Sequence, residues 1–310
     1  MQQVTSATPV DSAAVASQRA VATWRTVLSS YIGLMKPHVT VLLLGTTLAA
    51  MAVARQGLPS LLVTLTTLLG GAFAAGSANA INCYYDRDID KLMSRTKSRA
   101  LPAGRISDRH ALIFGIVLGV LSFVILATFV NLLAASLAVS AILFYVLVYT
   151  MWLKRTTTQN IVIGGAAGAV PVLVGWAAAT GSLSWAAFWM FAVIFMWTPP
   201  HFWALSLVLK KDYARAGVPM LPVVKGEAET YRQIVLYTLL LVATTLSLFV
   251  IHTLGYLYLM SALALGGGLI FLALRLQRVR TLKEARTVFW FSNYYLALIF
   301  AAMVLDHVFR

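Results

Sequence analysis

Acid is what this chain has least of. Its 310 residues carry 10 aspartates and glutamates against 24 lysines and arginines, and only 11% of positions are charged, where a soluble globular domain is closer to a quarter. One cysteine, Cys83, excludes an internal disulfide and any thiolate metal cluster. No strand-length stretch alternates apolar and polar residues, which excludes a membrane barrel. The opening MQQVTSATPVDSAAVASQRAVATW lacks the charged start and apolar run of a signal peptide. Residues 1–29 therefore read as a disordered cytoplasmic tail ahead of one polytopic domain over 30–310.

What fills the chain is apolar. Hydrophobic residues make up 60% of it and the mean hydropathy is +0.83. Nine apolar segments follow one another, roughly 34–54, 58–82, 110–131, 133–153, 160–180, 185–209, 232–253, 255–274 and 287–306, each long enough to cross a hydrocarbon core as a helix. The expected fold is an all-α integral membrane protein of nine transmembrane helices. The net charge of +14 then points to anionic lipid beside cytoplasmic loops and not to nucleic acid.

The charges also orient the chain. Of the 24 basic residues, all but Arg55 and Arg310 fall in the N-terminal flank or in the loops after segments two, four, six and eight. By the positive-inside rule this gives an N-in/C-out topology in a bacterial inner membrane. The opposite loops are very short (NLL, TGSLS, HTLGY), so any chemistry belongs at the cytoplasmic face. An internal repeat is one reading of the loops after segments two and six, since both carry Leu-Pro (Leu101-Pro102, Leu221-Pro222) and lie four helices apart; two unrelated proline loops are the other.

Three of the ten acids crowd into NCYYDRDID at 82–90. Asn82, Asp86 and Asp90 are spaced i, i+4, i+8, within an arc of about 80° on a helix, and Asp88 points roughly the other way. Such an oxygen stripe suits Mg²⁺, which is commonly held by one or two carboxylates plus waters and substrate phosphates. Arg95, Lys97, Arg99 and Arg105 follow at once. Carboxylates beside arginines match a magnesium–diphosphate substrate; a solvated loop of mutually paired charges is the alternative.

N-x-x-x-D-x-x-x-D followed by R-T-x-x-R-x-L-P-x-G resembles the UbiA-type intramembrane prenyltransferase superfamily. KPHVT (36–40), YTMWLKRTTTQNIVIGGAAGAVPVLVGW (149–176), WTPPHFWALSL (197–207) and DYARAGVPMLPVV (212–224) are similar to its haem-farnesylating branch, over roughly residues 30 to 300. The resemblance implies a helical bundle around a central cavity open to the cytoplasmic side. It also implies farnesyl diphosphate as donor, haem B as acceptor and Mg²⁺ as cofactor, with product passed to a haem A synthase or a terminal oxidase. Carried over by position, Asn82, Asp86 and Asp90 hold the metal. Arg95, Arg99 and Lys154 grip the diphosphate, and Lys211 and Arg215 join them from the loop after segment six. That loop departs from the superfamily's second D-x-x-x-D: LVLKKDYARAG keeps only Asp212, so a second metal site is weak or absent.

Loss of diphosphate from an allylic donor leaves a carbocation that aromatic faces can stabilise. Tyr84, Tyr85, Tyr149 and Trp203 are placed for this, or are ordinary interfacial and packing aromatics. For the haem, His201 stands out. It lies eleven residues before Asp212, about 16 Å deeper along a helix, after Pro199-Pro200, which free backbone carbonyls. It is either a functional group or a neutral histidine bonded to a freed carbonyl. His38 is a second acceptor-side candidate, with Trp203 beside His201. Gly164, Gly165, Gly168 and Gly266–Gly268 read as close helix packing. Two other functions fit parts of this pattern: a prenyltransferase acting on a quinone precursor such as 4-hydroxybenzoate, and a secondary transporter with repeats and broken helices.

Overall fold

The structure is a computed structural model that describes residues 24–55, 57 and 59–309. Nine of its helices are long and apolar enough to cross a membrane. They are span 1 (Pro37–Arg55), span 2 (Leu61–Tyr85), span 3 (Asp108–Phe129), span 4 (Leu132–Thr156), span 5 (Asn160–Thr180), span 6 (Trp185–Val208), span 7 (Gly226–Val250), span 8 (Tyr256–Val279) and span 9 (Leu282–Val308). Among the described residues there is no strand. The expected segments recur with small shifts. Span 7 begins six residues earlier than hydropathy suggests, because Glu227, Glu229 and Arg232 are satisfied at its polar start by Lys210, by Gln233 and by each other.

Most of the expected N-terminal tail lies outside the described residues. Its last part does not behave as a tail: Trp24–Leu34 is a helix. Trp24, Val27, Leu28 and Ile32 are exposed on it while Leu34 is buried, the pattern of a helix lying in a membrane interface.

Spans next in sequence pack side by side, span 9 closes against span 1, and span 1 also crosses span 5. Lipid supplies no hydrophobic drive between helices, so small residues that permit close approach do much of the work. A Cβ on Gly175 of span 5 would strike the backbone of Thr47 on span 1, and one on Gly164 would strike the ring of Tyr149. At the short-loop end, the buried Asp306 of span 9 accepts from the backbone N–H groups of Gly255 (2.5 Å) and Tyr258 (3.1 Å) at the start of span 8. This is a carboxylate satisfying a helix N-terminus.

Two details shape the basic end. The C-terminal part of span 4, Phe144–Leu153, is π-helical, a wider coil seen mostly at functional sites. It brings Tyr145, Tyr149, Thr150 and Lys154 towards the bundle interior. In addition, spans 2 and 6 each run into a six-residue helix, Arg87–Leu92 and Lys210–Arg215, with a Leu-Pro pair further on, in a turn at Leu101-Pro102 and at the start of the helix Leu221–Val224. The two segments meet: Asp212 accepts from the Ser94 hydroxyl (2.5 Å) and backbone N–H (3.1 Å). Both short helices lie at the same end of the bundle, which is compatible with a repeat and with two unrelated segments alike.

Candidate active site

Span 2 stops at Tyr85, yet the helical bonding carries on. The Asp86 N–H donates to the Asn82 carbonyl (2.9 Å) and the Asp90 N–H to the Asp86 carbonyl (2.8 Å). Asn82, Asp86 and Asp90 therefore stand in one column, 3%, 1% and 3% exposed. Asp88 faces out, with its side chain 59% exposed and paired to Arg155 at 2.7 Å. That arginine pulls the Asp88 carboxyl down to about 2.

Buried charges require partners, and the column has them. Lys154 reaches Asp86 Oδ2, which also accepts from Asn82 Nδ2 at 2.6 Å. Arg99 holds Asp90 Oδ2 at 2.8 Å. Its approach is set by Thr96, whose hydroxyl donates to the Asp90 carbonyl (2.9 Å) and turns the chain back on itself. Arg155, stacked over Tyr85, lies 3.6 Å from Asp86 Oδ1.

Two contacts come from residues the sequence reading passed over. Lys36 Nζ donates to Asn82 Oδ1 at 2.8 Å, and Asn82 Nδ2 donates to Thr150 Oγ1 at 3.1 Å. Lys36 has a left-handed backbone, φ 51, just before Pro37, a conformation costing a non-glycine residue about 1–3 kcal/mol and typical of functional sites. Burial lowers its ammonium below the ordinary 10.5. The one available signal was its position before a proline at a span start; the sequence carries no sign of the contact itself.

The balance of charge is informative. Lys36, Arg99, Lys154 and Arg155 surround three carboxylates, Asp86, Asp88 and Asp90, while Arg95 lies beside Tyr213. No ion pair among the described residues uses Lys36 or Arg95. The excess is positive, as an anion site demands. The oxygens also fit a hard cation. Asp86 Oδ1 is buried without a hydrogen bond, and Asp90 uses only Oδ2 in its bond to Arg99. No group of three or more His, Cys, Asp or Glu side chains forms a complete metal cage among the described residues. Mg²⁺ does not need one, since it keeps waters and takes phosphate oxygens.

Other expected residues are placed differently. Asp212 is spent on Ser94, which lowers its carboxyl. Lys211 is exposed, and Arg215 is exposed and only 3.8 Å from Asp212 Oδ1, so neither adds to the column. Trp203 is 2% exposed in a separate core with Tyr231, Ile234 and Val288, edge-on to Tyr237. It is a packing residue, because it faces away from His201 two positions earlier. His38 is exposed on the first turn of span 1. His201 is not bonded to a freed carbonyl: its Nδ1 meets the Ser292 hydroxyl at 2.8 Å. Of the tyrosines, Tyr84 and Tyr85 serve as platforms for Arg87 and Arg155. Tyr149 instead pairs with Tyr145, ring centroids 5.2 Å apart.

Below the column, an apolar cavity of about 170 Å³ lies between spans 1, 2, 4 and 5. Asn79 and Tyr145 mark its polar end, and Gly71, Ala74, Ala138 and Gly168 are among its walls. From Asn79 to Gly71 it runs about 12 Å at 1.5 Å per residue. Gly168 is not a packing glycine as expected, for a Cβ there meets nothing within 4 Å.

Residues 43–299 match the model of the UbiA prenyltransferase family. A relative from Gloeobacter violaceus named "Protoheme IX farnesyltransferase" is 56% identical over 294 residues, 94% of this chain and 96% of its own length. A solved structure of a digeranylgeranylglyceryl phosphate synthase superposes with a TM-score of 0.76 at 20% identity, over 92% of this chain and 99% of that one. A UbiA homologue from Archaeoglobus fulgidus bound to GPP and Mg²⁺ gives 0.66 at 18% identity, over 88% and 99%. At those identities the two structures establish the shared fold.

Proposed function

This chain belongs to the UbiA prenyltransferase family, and from that premise we propose that it transfers the farnesyl group of farnesyl diphosphate to a vinyl group of haem B, giving haem O and diphosphate. One observation carries the chemistry: the buried Asn82–Asp86–Asp90 column, contacted by four cations and with carboxylate oxygens still unspent. The choice of acceptor rests on likeness to the relative named above.

In this reading Asp86, Asp90 and Asn82 hold Mg²⁺, which when bound neutralises charge on the diphosphate. Lys36, Arg95, Arg99 and Lys154 take the remaining phosphate oxygens. They stabilise the electron pair that leaves with diphosphate as the allylic C1–O bond breaks. Tyr145 and Tyr149 present faces to the resulting cation. The cavity below them takes the apolar tail and keeps water from the cation. The vinyl carbon bonds to C1, and water adds to the neighbouring carbon with loss of a proton. The charge asymmetry supports a site on the cytoplasmic face of a bacterial inner membrane, and on this reading haem O passes from there to a haem A synthase or a terminal oxidase.

Membranes containing the protein, given farnesyl diphosphate and either haem B or 4-hydroxybenzoate, separate the readings. Haem O formed only with haem B and divalent metal is the expected result. Prenylated hydroxybenzoate with no haem product would replace this function with the quinone-precursor reaction. Uptake of substrate with no transfer at all would favour a transporter.

A further inference from the structure

His201 is held with more care than packing requires. Its ring lies between Trp197 (centroids 4.1 Å) and Phe289 (4.7 Å), stacked on both. All three are tied to one short stretch of span 9. Trp197 Nε1 donates to the Ser292 carbonyl at 2.6 Å, and His201 Nδ1 meets the Ser292 hydroxyl at 2.8 Å. The Ser292 hydroxyl in turn donates to the Phe289 carbonyl at 2.8 Å.

That last bond favours one tautomer. A hydroxyl has one proton, and the Phe289 carbonyl within its reach can only accept it. With that proton directed to the carbonyl, the Ser292 oxygen accepts from His201 and Nδ1 carries the hydrogen. In a neutral imidazole the lone pair then resides on Nε2. Nε2 makes no hydrogen bond and is not among the sealed-off polar atoms. His307 is the contrast: both of its ring nitrogens are sealed and unbonded. A histidine whose far nitrogen donates to a fixed acceptor while the other presents a free lone pair is the arrangement of a metal-ligating imidazole.

We propose that Nε2 of His201 is the axial ligand to the iron of the porphyrin acceptor, with Ser292 as its positioning residue. The inference rests on haem being the acceptor and adds how it is held. His201 lies seven residues before the end of span 6 at Val208, about 10 Å along the helix, so the iron would be held inside the span and not at its mouth.

The test is optical titration of the full-length protein in detergent with haem B and, separately, with iron-free protoporphyrin IX. Wild type should show a histidine-ligated haem spectrum. His201→Phe, which keeps an aromatic ring in the stack, should lose that spectrum and bind haem about a hundredfold more weakly, while binding protoporphyrin IX as wild type does. Imidazole should restore the spectrum in His201→Gly. Ser292→Ala should weaken haem binding about tenfold, the scale of a lost partner to a ligating histidine. An unchanged haem spectrum and affinity in His201→Phe would overturn the proposal. So would equal loss of protoporphyrin IX binding, which would make His201 a packing residue. Either result can coexist with farnesyl transfer to haem by the wild type, whereas absence of that transfer counts against the function itself.

Discussion

The segments after span 2 and after span 6 begin alike and end up with different work. Both leave a long helix for a six-residue one, carry an acid on it and continue to a Leu-Pro pair. After span 2, Asp86 and Asp90 point inward to Lys154 and Arg99 with oxygens to spare. After span 6, Asp212 gives Oδ2 to both donors of Ser94. Ser94 immediately precedes Arg95, so the second acid fixes the loop that carries the first site's cations. On the proposed function the two segments divide labour: the first would carry the chemistry, and the second holds its loop in shape.

Substitution at matched positions should measure that division. Asp86→Asn and Asp90→Asn should each lower kcat about 10³-fold, the scale of removing charge stabilisation at a leaving group, while the protein stays inserted and binds a prenyl chain. Asp212→Asn should cost about tenfold, mostly in KM, since it loosens the Arg95 loop without touching a phosphate. Because Ser94→Ala removes the same link, the double variant should be little worse than either single one. If Asp212→Asn matched Asp86→Asn in kcat, the second segment would belong to the site itself.

The tail cavity gives a change of specificity. Gly168→Leu projects into space where a Cβ meets nothing, so folding should be unaffected. Transfer from a C10 donor should rise relative to C15, by about the tenfold or so that one or two methylenes are worth in an apolar pocket. Competition between the two donors, read by mass spectrometry of the product, checks it.

Spans and stripe were legible because both are local patterns: hydropathy over about 20 residues, and an i, i+4, i+8 spacing that the chain honours even across the break at Asp86. What escaped depends on distant contacts. Lys36 and Asn82 are 46 positions apart, Asn82 and Thr150 are 68, and Ser94 and Asp212 are 118. The π-helical turn that swings Thr150 and Tyr145 inward has no simple compositional mark. Trp203 was misplaced because residue type says nothing of which side of span 6 faces the bundle centre. Gly168 was misread because a glycine lining a cavity and a glycine at a helix contact look the same in one dimension.

Lys36 adds a pH dependence that the second segment lacks. Burial holds its ammonium below 10.5, so its charge is complete at low pH and is lost as pH rises through a value under that of free lysine. Affinity for a non-hydrolysable diphosphate analogue should fall in that alkaline window. Lys36→Arg keeps the charge throughout and should flatten the fall. Lys36→Met should bind weakly at every pH. An unchanged alkaline limb in Lys36→Arg would assign the titration to another group.

The smallest effect belongs to Asp88, two residues from either column acid. Its carboxylate is well bonded, at 2.7 and 2.8 Å to the two Arg155 nitrogens, but it is 59% exposed, and exposed pairs contribute about 0–1 kcal/mol. Asp88→Asn should leave kcat within about twofold and stability within that same range. The sign with pH is fixed by the depressed carboxyl. The pair's contribution is full above the ordinary carboxylate range and is lost as pH falls through about 2, so wild type and variant should differ at neutral pH and converge in strong acid. Asp86, Asp88 and Asp90 are equally acidic in sequence and differ in the direction each side chain takes from one helical column. An Asp88→Asn loss as large as that of Asp86→Asn would mean that charge in the run, and not the column's facing, carries the reaction.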